Sequence, residues 1–238
     1  MWHMPDLATS IASGLREHEA QAVLEQSPYG LDALDELDLH PIFQRAIASG
    51  NEFGVFAEVP YPSLPLSNAG AKTKRSERER CDLVLTESPT RVLGDPVAQR
   101  EREAVEAATL FAGSLAPPDL VEPEDALWLE VKVVEQFGLI NGMCGPNHGY
   151  AGAFAACRDD IAKLSADARI RYAALLIVLF TADEATSRHD LGVFANACLD
   201  RGLSIASPEM ESFAIPDRLG NSCCTVAMTP VRGAGWDR

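Results

Sequence analysis

Long apolar stretches are missing from this sequence. The longest, Tyr172 to Phe180, has nine residues, whereas a helix that spans a membrane needs about 20. The first residues also lack the basic segment and the following apolar segment that open a secretory leader. We therefore expect a cytoplasmic protein that makes no contact with a membrane.

Two short patterns are also absent. None of the six cysteines belongs to a C-x-x-C pair, so we expect reduced thiols, and the spacing does not indicate a zinc site. No G-x-x-x-x-G-K segment occurs. This argues against a nucleotide hydrolase that cradles phosphates in a Gly-rich loop.

Basic residues are scarce. The chain has 20 Lys and Arg against 35 Asp and Glu, a net charge of −15, which excludes a protein that binds nucleic acid through its overall charge. A local exception precedes Asp82, where five basic and two acidic residues lie in one segment. We expect its basic side chains to hold phosphates, although a solvated charged loop is the common alternative. They are Lys72, Lys74, Arg75, Arg78 and Arg80, and Arg158 and Lys163 on a later helix could extend the patch.

Apolar residues make up 47% of the 238 residues, enough for the core of one domain. Their spacing switches between the helical period and the strand period of two along the chain. It predicts helices over 7–25, 34–48, 97–111, 191–203 and from 151, strands over 53–59, 81–86, 126–134, 172–181 and 223–228, and a Gly-rich loop over 138–149.

This order of elements predicts a fold class. Three consecutive strands favour an antiparallel meander, and a helical crossover into a fully apolar strand favours a parallel pair. We therefore expect a single α/β domain with a central mixed β-sheet flanked by helices. Its core covers about 31–181 with a helical insertion at about 87–125, and a C-terminal helix and closing edge strand follow over 182–238.

Charged side chains interrupt two of the predicted strands. On 126–134, Glu130 and Lys132 lie on the face opposite the leucines and valines, because side chains alternate across a sheet. On 81–86, Asp82 lies on the face opposite Cys81, Leu83 and Leu85.

If these strands are neighbours, the carboxylates of Asp82 and Glu130 converge, and a cation between them relieves their repulsion. Oxygen ligands without a nearby His or Cys favour Mg²⁺ or Mn²⁺. Lys132 would then polarise a water or neutralise charge on a phosphate. The alternative is a weak, solvated ion pair at a sheet edge.

Asp82 followed by Glu130-Val131-Lys132, in a helix–three strands–helix–strand order, resembles the PD-(D/E)XK nuclease superfamily. The resemblance covers roughly residues 35–181. It implies a restriction-endonuclease-like αβββαβ core, in which Asp82 and Glu130 hold one or two Mg²⁺ ions and Lys132 assists the attacking water. The sequence departs from the family pattern at Cys81, where proline is usual, and in the 48-residue separation of Asp82 from Glu130.

Three other polar residues are candidates for the same site. Many members of the superfamily have a Glu on the helix before the first strand, and the segment Glu36 to His40 resembles the E-x-x-L-H pattern of some branches. Glu36 is therefore a candidate catalytic residue, unless it belongs to an exposed acidic helix start. Glu58 could line the pocket or face solvent on an edge strand, and Gln136 could reach the pocket from the end of the third strand.

The sequence thus predicts a Mg²⁺- or Mn²⁺-dependent endonuclease that hydrolyses phosphodiester bonds in nucleic acid, with DNA expected as its partner. A homodimer or a protein partner is also compatible with it. Two alternatives stay open. One is a catalytically inactive module of the same fold that binds a protein, which the net charge favours. The other is a Cys-dependent hydrolase that uses Cys144 and His148 of the Gly-rich loop.

Overall fold

The computed structural model describes residues 2–49, 53–62, 79–94, 120–140 and 142–232. This part of the chain is an α/β fold in which helices flank a mixed sheet. None of its helices is long and apolar enough to cross a membrane. The α-helices are α1 (Met4–Leu24), α2 (Glu36–Ala48), α3 (Tyr150–Ala166) and α4 (Glu184–Asp200), and short 3-10 helices cover Leu31–Ala33 and Pro123–Asp125.

The strands of the described residues form one large sheet and two small ones. In chain order they are β1 (Gly54–Pro60), β2 (Arg80–Thr86), β3 (Val92–Leu93), β4 (Leu120–Val121), β5 (Leu127–Glu135), β6 (Phe137–Ile140), β7 (Met143–Pro146), β8 (Tyr172–Thr181), β9 (Glu209–Ala214) and β10 (Cys223–Val231). The large sheet has the order β1-β2-β5-β8-β10-β9. Its β5–β8 pair is parallel and its other pairs are antiparallel, as the meander and the crossover predicted.

Each face of the large sheet carries its own apolar core. Helices α1 and α2 cover one face, and helices α3 and α4 cover the other. Along β5 the side chains alternate, so that Leu127, Leu129 and Val131 pack under α1 and α2 while Trp128 packs under α3 and α4. The predicted alternation is confirmed, and it puts Glu130 on the side of the sheet that α3 covers.

The two helices of the first layer touch where Gly14 of α1 meets Ala46 of α2. A Cβ added at Gly14 would lie 2.5 Å from the Cβ of Ala46, well inside van der Waals contact. Glycine therefore lets α1 approach α2 closely.

The second half of the chain differs from expectation in three places. The predicted loop over 138–149 contains the hairpin of β6 and β7, with Gly142 at φ 78 in its turn. Strand β10 is not at the edge but lies between β8 and β9, and β9 was not predicted. Helix α4 begins well before residue 191, because the Asp183 Oδ1 accepts the Thr186 N–H at 2.7 Å and caps the helix there. The helix predicted over 97–111 lies outside the described residues.

Candidate active site

The ladder between β2 and β5 stops at the pair Leu83–Leu129. The same antiparallel register, continued by one pair, would set Asp82 opposite Glu130. The backbone N–H of Val131 instead donates to the Asp82 Oδ2 at 2.7 Å. A carboxylate thus replaces the neighbouring backbone at the point where the ladder ends, and the other charged groups gather around this point.

Helix α2 brings two side chains to Asp82. The Asp35 Oδ1 accepts the Asp38 N–H at 2.9 Å and caps the start of the helix, so that Glu36 and His40 lie one turn apart on the same helix face. Among the described residues, the ligand atoms of Glu36, His40 and Asp82 lie within 4.8 Å of one another. We call these three residues the ligand cluster.

His40 is the member of the ligand cluster that the sequence argument did not select. Its side chain is 6% exposed, and its Nε2 has no hydrogen-bond partner in the described part of the chain. A buried imidazole nitrogen without a partner is costly unless a ligand completes it. The signal was present in the E-x-x-L-H pattern, because an i, i+4 spacing puts Glu36 and His40 on one face.

Glu130 is almost fully buried, at 2% exposure. The Tyr61 hydroxyl donates a hydrogen bond to its Oε1, and the Lys163 Nζ lies 3.6 Å from the same oxygen. Burial raises the pKa of Glu130 to about 8, and the nearby carboxylate of Asp82 acts in the same direction. Glu130 therefore gains a proton near neutral pH unless another cation approaches it.

Tyr61 was not predicted as a site residue. It follows β1, is 3% exposed, and stacks on Trp128 at a centroid distance of 6.1 Å. No local pattern marks such a residue, because its role depends on β1 and β5 lying in one sheet with β2 between them.

Lys132 lies between acidic groups from both layers. Its Nζ is 3.4 Å from the Glu36 carboxylate and 3.4 Å from the Asp160 Oδ2, and it donates to the Val131 carbonyl at 2.8 Å. Burial lowers the pKa of Lys132, but the surrounding carboxylates, with Asp160 first, outweigh burial and raise it. The surrounding carboxylates therefore favour the ammonium form of Lys132.

Asp160 on α3 was also missed, although its helix carries the predicted Lys163. Asp160 is 6% exposed, and its Oδ1 pairs with the Lys163 Nζ at 2.8 Å. The site thus combines two ammonium groups with the four carboxyl groups of Glu36, Asp82, Glu130 and Asp160. With every group ionised its formal charge is −2, which one divalent cation would balance.

The structure therefore brings together Asp82, Glu130, Lys132 and Glu36. Glu130 is not a member of the ligand cluster among the described residues. It does lie beside Asp82, because the two carboxyl groups interact directly, and the expected Asp82–Glu130 metal pair stays a prediction. Cys81 also departs from expectation, because it packs with Trp128 in the core under α3 rather than beside Leu83 and Leu85.

The other predicted residues lie elsewhere. Arg80 on β2 donates to the Glu58 carbonyl at 2.9 Å, and the Glu58 side chain is exposed at a backbone φ of 55. The Gln136 Oε1 accepts the Ala182 N–H at 2.9 Å, so Gln136 ties β5 to the end of β8. The remaining basic residues, Lys72, Lys74, Arg75 and Arg78, lie outside the described residues.

Comparisons with known proteins do not identify this site. No protein-family model, no curated protein and no solved structure matches the chain.

Proposed function

We propose that this chain is a metal-dependent phosphodiesterase, a nuclease that cuts DNA. The observation that carries the proposal is the position of Lys132, whose ammonium lies 3.4 Å from Glu36, a member of the ligand cluster. A divalent cation beside a fixed positive charge suits a reaction in which negative charge grows on a phosphate.

The ligand cluster is the proposed metal site. Two carboxylates and one imidazole suit a transition metal such as Mn²⁺ better than Mg²⁺, because Mg²⁺ takes oxygen ligands whereas transition metals also accept imidazole nitrogen. The unpartnered, buried Nε2 of His40 fits this assignment, since a metal would complete its bonding. When bound, the cation supplies Lewis-acid stabilisation and lowers the pKa of a water ligand.

The residues around the ligand cluster support the same reaction. Water attacks phosphorus and gives up a proton to solvent, the bond to the leaving oxygen breaks, and that oxygen takes up a proton from solvent. Lys132 would stabilise the charge on the phosphoryl oxygens, since its ammonium is held in place by Glu36 and Asp160. Tyr61 would hold the Glu130 carboxyl beside Asp82.

The topology supports a restriction-endonuclease-like core. Helix α2, strands β1, β2 and β5, helix α3 and strand β8 follow the αβββαβ order, with the first three strands antiparallel and the last two parallel. The candidate residues lie on α2, β2 and β5, the elements on which the resemblance to PD-(D/E)XK nucleases expects them.

A cleavage assay tests the proposal. Single- and double-stranded DNA and RNA are incubated with the protein in Mg²⁺, in Mn²⁺ and in a chelator, next to the variants Asp82→Asn and Lys132→Gln. We expect metal-dependent cleavage of DNA by the parent and a loss of at least about 100-fold in each variant. Arg188→Gln, which removes an exposed ion pair on α4, is the matched control and should cut like the parent. Absence of cleavage by the parent with either metal overturns the proposal.

A second candidate function is a catalytically inactive module that binds a protein partner. The net charge of −15 favours it, because a polyanion is repelled everywhere except at local basic groups. This candidate predicts that binding of Mn²⁺ to the ligand cluster raises the melting temperature of the protein, while no nucleic acid is cut.

A further inference from the structure

Asp160 is a buried carboxylate that lies between the two ammonium groups of the site. We propose that Asp160 is a positioning residue that holds Lys132 and Lys163 as a pair, and that Lys163 is the ammonium that binds a phosphate oxygen of the substrate. The inference rests on the proposed nuclease function. It assigns the phosphate contact to a lysine of α3 rather than to the lysine of β5.

The two oxygens of Asp160 are divided between the two lysines. Its Oδ1 is 2.8 Å from the Lys163 Nζ and its Oδ2 is 3.4 Å from the Lys132 Nζ. The Oδ2 is buried and makes no hydrogen bond within the described residues, so its contact with Lys132 is an ion pair. A carboxylate buried to this extent is costly alone, and these two ammonium groups balance it.

Lys132 is the less accessible of the two lysines. It donates to the Val131 carbonyl and to Glu36, and it forms an ion pair with Asp160. Two of the three N–H donors of its ammonium are therefore used within the protein, and its side chain is only 23% exposed. Lys132 therefore acts mainly as a fixed charge.

Lys163 differs from Lys132 in its partners and in the exposure of its side chain. Within the described residues it forms ion pairs with Asp160 at 2.8 Å and with Glu130 at 3.6 Å, and its side chain is 36% exposed. One of its three donors is left for a group that arrives from solvent. A phosphate oxygen is a strong acceptor for such a donor, and the ammonium already lies beside Glu130.

The helix explains why one residue can hold both lysines. Asp160 and Lys163 are three residues apart on α3 and so are neighbours on the helix surface. Lys132 reaches the same carboxylate from β5, which α3 covers. Asp159, the neighbour of Asp160, is exposed and provides a matched control on the same helix.

The experiment measures DNA cleavage in Mn²⁺ and DNA binding in Ca²⁺ for the full chain and its variants. Binding is followed by the fluorescence anisotropy of a labelled duplex. Lys163→Gln should weaken binding and raise KM by about 10-fold or more while kcat changes little, because it removes a charge-assisted contact made in both ground and transition states. Lys163→Arg should restore most of the binding, since it keeps a cation at the position.

Asp160→Asn should lower kcat and raise KM together, by about 10-fold each, because both lysines lose their anchor. Asp159→Asn should behave like the parent. In the Lys163→Gln background, Asp160→Asn should no longer raise KM, and this non-additivity separates positioning from a general loss of structure. The melting temperature of each variant reports its folding.

Two results would overturn the inference. If the parent cuts DNA but Lys163→Gln binds and cuts as the parent does, the inference fails while the proposed function stands. If the parent does not cut with either metal, both fail together.

Discussion

The Asp82 Oδ2 accepts the backbone N–H of Val131 at 2.7 Å, at the point where β2 stops pairing with β5. Asp82 also belongs to the ligand cluster with Glu36 and His40. A single carboxylate therefore closes the sheet ladder and supplies charge to the site. These two roles can be separated experimentally, because only the first requires an acceptor and only the second requires a negative charge.

Replacing Asp82 by Asn keeps an acceptor for the Val131 N–H but removes the charge. We expect Asp82→Asn to unfold at nearly the parent's denaturant midpoint and to lose the rise in melting temperature that Mn²⁺ gives. Asp82→Ala should lose that rise and also about 1–3 kcal/mol of unfolding free energy, because a backbone donor is left without a partner. Equal stability of the two variants would contradict the first role.

His40 should decide which metal is preferred. His40→Gln removes the nitrogen ligand and leaves the two carboxylates, so the affinity for Mn²⁺ should fall by about 10-fold or more while the affinity for Mg²⁺ changes less. Isothermal titration calorimetry with both metals measures the ratio. His189→Gln on the exposed surface of α4 is the control, and an unchanged ratio in His40→Gln would argue against imidazole ligation.

Glu135 at the end of β5 should make stability depend on pH. Burial raises its pKa from 4.5 to about 7. The neighbouring carboxyl of Asp32, whose own pKa is raised by burial, acts in the same direction. The folded state therefore holds the proton more tightly than the unfolded state. The stability that this provides is complete below pH 4.5 and is lost as the pH rises towards 7.

Glu135→Gln cannot ionise and should remove this dependence. Compared with the parent, it should gain on the order of 1–2 kcal/mol of unfolding free energy between low pH and pH ~8. Urea unfolding at several pH values measures the gain. Glu17→Gln, on an exposed position of α1, should show no such trend. A flat difference for Glu135→Gln would mean that the pKa of Glu135 is the same in the folded and unfolded states.

Gly14 should be intolerant of a side chain. Gly14→Ala would press a methyl group against Ala46 at 2.5 Å, and we expect a loss of about 1–2 kcal/mol even though alanine favours helices. Gly192→Ala in α4 meets no atom within 4 Å and should instead stabilise the protein by up to about 1 kcal/mol. Thermal unfolding of both variants checks the contrast, which disappears if α1 does not lie this close to α2.

The predictable part of the molecule follows from local periodicity. The alternation of apolar and charged residues on β5 was enough to put Glu130 and Lys132 on one face, because a strand repeats every two residues. The same rule was wrong for Cys81. Cys81 packs on the other face of the sheet from Leu83, next to the end of the β2–β5 ladder. Its partner on β1 is Val59, which follows Glu58, and Glu58 has a left-handed backbone.

The rest of the site depends on tertiary structure. Tyr61 and Asp160 reach Glu130 and Lys132 from distant parts of the chain, and a single sequence carries no local mark of such contacts. The hairpin of β6 and β7 was hidden for a different reason. Its glycines suggested an irregular loop, whereas Gly142 supplies the positive φ of a tight turn between two short strands.

In the described part of the chain, strand β9 pairs with β10 alone and forms one border of the large sheet. Its Glu209 is exposed and its Glu211 is half-buried. A second molecule that added its own β9 there would bring glutamates against glutamates, which disfavours edge-to-edge aggregation. The acidic residues that repel a polyanion thus also oppose aggregation of the protein through its edge strand.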